Sequence, residues 1–163
     1  MRLPQVYPPA YLGMPVAGLL WSLAVLQADQ ELLVALDMPP VQAFFLVSLG
    51  GVTQFLILWL GLTAVSWAMI RGMGARLSLL RLGALVSNAA LPLWIGAPAL
   101  AFWLSGPAGL GPLTMLIALA SLGLFATVMA RLLSAELNWN LSRAAVAVSA
   151  TLAFLASSIF LSL

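Results

Sequence analysis

The chain has 163 residues, of which 64% are hydrophobic and 6% charged, with a formal net charge of +2. A soluble domain carries about 25% charged residues, so six Arg and four acidic side chains leave lipid, not water, as the natural solvent for this surface. Six scattered Arg also fall short of the dense basic face that nucleic-acid binding needs, and the absence of Cys and His excludes disulfides, thiolate catalysis, the usual zinc sites, histidine-ligated haem and histidine relays.

The apolar runs are continuous and do not alternate with period two, which argues against a membrane β-barrel. The expected fold class is all-α, a polytopic transmembrane helical bundle of about five spans. The first run covers residues 10–28, after Pro8 and Pro9 and with Pro15 inside it. Arg2 is a weak basic region and no clear small-x-small cleavage site follows, which favours a span over a signal peptide. Residues 29–40 carry Asp29, Glu31 and Asp37 and end in Pro39-Pro40, with a short interfacial helix expected over Leu32–Leu36. The second run, 41–70, is too long for one perpendicular crossing and calls for tilt, protrusion or a kink at Gly50-Gly51. A basic linker follows, with Arg71, Arg76 and Arg81 around Gly72 and Gly74, and with Leu77, Leu79 and Leu80 suggesting an amphipathic turn.

The third run, 82–104, contains Pro92 and Pro98 and is expected to be kinked or broken, at Pro92 first. Residues 105–111 read as an uncharged turn. The fourth run is 112–133, and the linker after it holds Arg131, Glu136, Asn138, Trp139, Asn140 and Arg143, with a local ion pair expected among the charges. The fifth run is 144–163. Residues 1–163 therefore read as a single transmembrane domain.

Five crossings place Arg2, Arg71, Arg76, Arg81, Arg131 and Arg143 on one side of the membrane and three of the four acids on the other. Short cytoplasmic loops collect basic residues, so the N-terminus is expected in the cytoplasm and the C-terminus outside. Basicity carried by Arg alone, with abundant Ala and Leu, suggests a bacterial source and its cytoplasmic (inner) membrane.

Three groups of residues are candidates for function. Asn88, beside Pro92 and Trp94, and Gln54 in the second run form a possible polar core or ligand site, since broken helices often line membrane binding sites. Asn88 is equally suited to satisfying a carbonyl freed by Pro92, and the two amides suit a hydrogen bond across helices. Ala145, Ser149, Ala153 and Ser157 recur every four residues and give a small-residue stripe, either for internal packing or for a partner. Gly123, Ala126 and Ala130, and Gly18 with Ser22, admit the same two uses. Arg71, Arg76 and Arg81 act as topology determinants or hold anionic lipid headgroups. Of the six Trp, Trp67, Trp103 and Trp139 suit helix ends at the membrane interface, whereas Trp21, Trp59 and Trp94 suit the bundle interior.

From about residue 65 onward the chain resembles the Yip family, membrane proteins first known as partners of small Rab-type GTPases. The resemblance is carried by Arg71-Gly72-Met73-Gly74-Ala75-Arg76-Leu77-Ser78, by Ala89-Ala90-Leu91-Pro92-Leu93 in the third run, and by Leu141-Ser142-Arg143-Ala144-Ala145 before the last. It implies five membrane helices with a cytoplasmic N-terminus. Met38-Pro39-Pro40 and Leu137-Asn138-Trp139-Asn140 are similar to pieces of the tryptophan-rich translocator family, which also has five helices. The expected function is that of a non-enzymatic adaptor, scaffold or accessory subunit without cofactor. Its expected partners are membrane lipids and another membrane protein or a second copy of itself. The alternative is a small-solute transporter or ligand-binding protein with its site at the broken third helix.

Overall fold

A computed structural model describes residues 11–29, 37–105 and 111–161, with side chains described through residue 157. Arg2, Glu31 and the expected interfacial helix at Leu32–Leu36 lie outside the described residues. Among the described residues six helices follow one another: α1 (Gly13–Ala28), α2 (Pro40–Gly72), α3 (Leu79–Ala89), α4 (Leu93–Ser105), α5 (Gly111–Leu137) and α6 (Leu141–Leu161). Among the described residues there is no strand.

By length and composition α2 and α5 can each cross a membrane, and the α3–α4 pair adds a third crossing if its two bent halves are one span. That is fewer than the five expected. The shortfall has a simple origin. At about 1.5 Å per residue α1 rises only about 24 Å, less than a hydrocarbon core of about 30 Å. The apolar part of α6 with described side chains, Leu141–Ser157, is similarly short.

The helices pack antiparallel in sequence. Gly18 of α1 meets Gly51 of α2, and Tyr11 just before α1 stands edge-on to Trp59. Trp59 donates its indole N–H to the Gly83 carbonyl of α3 (2.9 Å), and Trp67 donates to the Leu77 carbonyl (3.1 Å). Partners of the bent pair then follow α5 from one end to the other: Arg81 on Glu136, Gly96 on Ser121, and Trp103 beside Gly111. A re-entrant loop would turn back before the far end of α5. The α3–α4 pair instead runs beside all of it, as a broken span does.

The break matches the expectation at Pro92 and bends the pair by 65°. Leu93 and Trp94 donate their N–H groups to the Ala90 and Leu91 carbonyls, and Gly96 closes the first turn of α4 on the Pro92 carbonyl. These turn bonds satisfy backbone groups that lipid would leave unpaired. Pro98, expected to interrupt the run again, lies inside an unbroken α4. The kink considered at Gly50-Gly51 is also not a break, because α2 is one helix from Pro40 to Gly72. Gly51 serves close approach: a Cβ there would meet the Ser22 hydroxyl, and the Gly18 carbonyl oxygen at 2.8 Å.

The interior is small and apolar. Leu82, Leu85 and Val86 of α3 pack with Phe125, Met129 and Leu133 of α5 and with Ala144 and Val148 of α6. The exterior is also apolar, with Phe45, Leu49, Ile95 and Leu116 each about two-thirds exposed. Only 11% of the apolar window of α2 and 22% of that of α5 are buried within the bundle. Apolar surface of this extent is what a hydrocarbon surround accommodates and water does not.

Candidate functional site

Helix ends gather arginine at one end of the bundle. The C-terminus of α2, the N-terminus of α3, the C-terminus of α5 and the N-terminus of α6 meet there. Each end is closed by local chemistry. After α2 the chain turns at Gly74, whose φ of +82° suits glycine, and Ala75 donates back to the Ile70 carbonyl. Ser78 caps α3 by accepting from the Arg81 N–H (3.3 Å). Asn138 takes the left-handed conformation (φ 51°) after α5, and Trp139 donates to the Ser134 carbonyl. The Asn140 side chain then accepts from the Arg143 N–H (2.9 Å) and caps α6. The polar run Asn138-Trp139-Asn140 is therefore a two-sided cap joining α5 to α6.

The arginines at this end differ in what they touch. Arg81 grips Glu136 with two hydrogen bonds of 2.8 and 3.0 Å, and the pair is largely covered. Glu136 thus binds α5 to α3 across 55 residues of chain, where a local pair with Arg131 or Arg143 was expected. Arg143 lies over the Trp139 ring (4.3 Å) and donates to the Met73 carbonyl, binding α6 to the turn after α2. Arg71 lies over the Trp67 ring at 4.2 Å. Arg76 and Arg131 are exposed. Arg71, Gly74, Ala75 and Arg76 line an open polar hollow of about 410 Å³. Of the three arginines considered for lipid contact, Arg71 and Arg76 line this hollow, and Arg81 is engaged with Glu136.

The residues considered for a polar core do not come together. Gln54 is exposed on the outer face of α2, in a shallow groove with Leu46, Thr53 and Leu58. Asn88 is half-buried in α3 and makes no hydrogen bond to Gln54 among the described residues. The N-terminus of α1 fills the space beside the break. Trp94 donates its indole N–H to the Gly13 carbonyl (2.9 Å), Met14 donates to the Ser87 hydroxyl (3.4 Å), and a Cβ on Gly13 would collide with the Ser87 carbonyl. Gly13 and Ser87 are structural residues that the sequence alone does not single out, whereas Trp59, expected in the bundle interior, is half-buried there. A Trp spaced from a Gly carbonyl by 81 residues leaves no local trace.

The small-residue stripe faces outward. Ala144, Ala147, Val148 and Thr151 are the buried face of α6, whereas Ala145 is half-buried and Ser149, Ala153 and Ser157 are exposed. With Ala126, Thr127 and Ala130 of α5, Ala145 and Ser149 line a groove of about 220 Å³. Gly123, one turn away on α5, has open space around it. Gly18 and Ser22, by contrast, are consumed by the crossing with α2. Among the described residues no group of acids could hold a metal ion.

No protein-family model, curated protein or solved structure matches the chain.

Proposed function

We propose that this chain is a non-enzymatic integral membrane protein that acts as an adaptor, scaffold or accessory subunit. Its contact surface is the open groove between α5 and α6. The observation that carries the proposal is the outward face of α6, where Ala145, Ser149, Ala153 and Ser157 leave the backbone accessible to another helix. In hydrocarbon, helices associate through such small-residue surfaces because close packing and not water exclusion drives them together. The lack of Cys and His in the sequence removes thiolate nucleophiles and the commonest general base, and supports a role without catalysis.

In this proposal the bundle crosses the membrane five times. The α3–α4 pair is one broken span, and α1 and α6 are short spans seated against α2 and α5. The end that gathers Arg71, Arg76, Arg81, Arg131 and Arg143 faces the cytoplasm of a bacterial cell, as the positive-inside rule requires. The resemblance to the Yip family supports the same topology.

A photo-crosslinking residue placed at Ser149 in native membranes tests the proposal, with Phe45, exposed on α2, as the control. Protein adducts at Ser149 and lipid adducts alone at Phe45 are expected. Lipid adducts alone at both Ser149 and Phe45 would contradict it.

A further inference from the structure

The turn between α2 and α3 has a chemistry that helix packing does not use. Arg71 and Arg76 flank a polar hollow of about 410 Å³, lined otherwise by Gly74 and Ala75. Neither guanidinium meets a carboxylate among the described residues. Among the described residues Glu136 is the one acid at this end, and it is taken by Arg81. The turn is held firmly from three directions. Trp67 donates to the Leu77 carbonyl, Arg143 donates to the Met73 carbonyl, and Gly74 donates to the Arg71 carbonyl. Stacking on Trp67 fixes the Arg71 side chain as well, so less side-chain freedom is lost when a ligand binds. The N–H groups of Gly74 and Ala75 already have partners, so recognition of an anion falls to the two guanidinium groups.

We propose that this hollow binds the phosphate headgroup of an anionic phospholipid, gripped by Arg71 and Arg76. Planar guanidinium groups match phosphate oxygens in pairs. A lipid is favoured over a soluble phosphate by what adjoins the hollow. Leu79 and Leu80 open α3 immediately after the turn, and both are exposed, Leu80 at 78%. They offer acyl chains an apolar path away from the headgroup. The Trp67 ring lies at the end of an apolar span, at the depth where aromatic residues meet headgroups. This inference rests on the membrane reading alone, so failure to find a protein partner leaves it standing.

Native mass spectrometry of the full chain in mild detergent tests it, with phosphatidylglycerol, phosphatidylcholine and inorganic phosphate as probes. The chain retains phosphatidylglycerol in preference to phosphatidylcholine, and millimolar inorganic phosphate does not displace it. The pair R71Q/R76Q weakens retention on the order of tenfold. R131Q removes the same charge from the same end as either single change, outside the hollow, and alters retention less than about twofold. Should the glutamine pair fail to fold, R71K/R76K keeps both charges and loses the planar fork and the stack on Trp67, and retention still falls. Equal retention of phosphatidylcholine, displacement by inorganic phosphate, an R131Q loss as large as that of the R71/R76 pair, or unchanged retention in R71K/R76K would each overturn the proposal.

Discussion

Adjacent glycines in α2 should respond oppositely to the same substitution. Gly51 sits at the crossing with α1. A methyl group there meets the Ser22 hydroxyl and lies 2.8 Å from the Gly18 carbonyl oxygen. Ser22 is fully buried and its hydroxyl is bonded to that same Gly18 carbonyl (2.9 Å), so it has little room to turn away. Gly18 is equally tight, since its own Cβ would lie 2.8 Å from the Gly51 carbonyl oxygen and 2.9 Å from the Phe55 Cβ. Relief requires α1 to move outward by several tenths of an ångström along its contact with α2. Overpacking of this kind costs about 1–3 kcal/mol. Gly50 points into open space, so Gly50→Ala meets nothing and removes backbone freedom from the unfolded chain, a gain of at most about 1 kcal/mol. Unfolding in mixed micelles of mild detergent and dodecyl sulfate, followed by circular dichroism, measures both. Gly51→Ala should unfold at a lower dodecyl sulfate fraction than the parent, and Gly50→Ala at the same or a higher one. Equal destabilisation by the two would refute the close α1–α2 crossing.

Three further outcomes follow from single contacts. Trp94→Phe removes the indole donor to the Gly13 carbonyl and should cost about 0.5–1 kcal/mol, read in the same unfolding assay, with faster amide exchange at the start of α1. Glu136→Gln replaces a two-point charged contact with a weaker neutral one. It should lower stability by about 1–2 kcal/mol, whereas Arg131→Gln, at an exposed position, should leave stability within about 0.5 kcal/mol. Asn140→Ala removes the cap of α6 at a cost of about 1 kcal/mol, and Asn140→Asp should recover most of it.

Much of the helix plan was legible because hydrocarbon imposes a simple rule on composition. Continuous apolar runs become helices, and Pro92 ends one of them for a reason visible in its own ring. Pro98 shows the limit of that reading, since it sits inside α4 and forgoes a hydrogen bond without ending the helix. The number of spans was less legible, because a run of apolar residues states its hydropathy but not where its helix begins. Helix α1 starts at Gly13, where its backbone rests on Ser87, and not at residue 10. Side-chain pairing was the least legible. Glu136 stands near Arg131 and Arg143 in the chain but reaches Arg81, because antiparallel packing of α3 on α5 brings those ends together. The stripe on α6 could be seen at its four-residue spacing, but its direction is set by which neighbouring positions face α5 and α2.

In the proposed topology opposite ends of the bundle face opposite sides of a membrane. The sequence contains no Cys, so single cysteines can be placed at will. Asp37→Cys and Ser105→Cys mark one end, and Arg76→Cys and Ser142→Cys mark the arginine-rich end, all at exposed positions. With a membrane-impermeant maleimide on intact spheroplasts, Asp37 and Ser105 should label at once and Arg76 and Ser142 only after permeabilisation. Labelling of Arg76 and Ser142 from different sides, or of Asp37 and Arg76 from the same side, would contradict it.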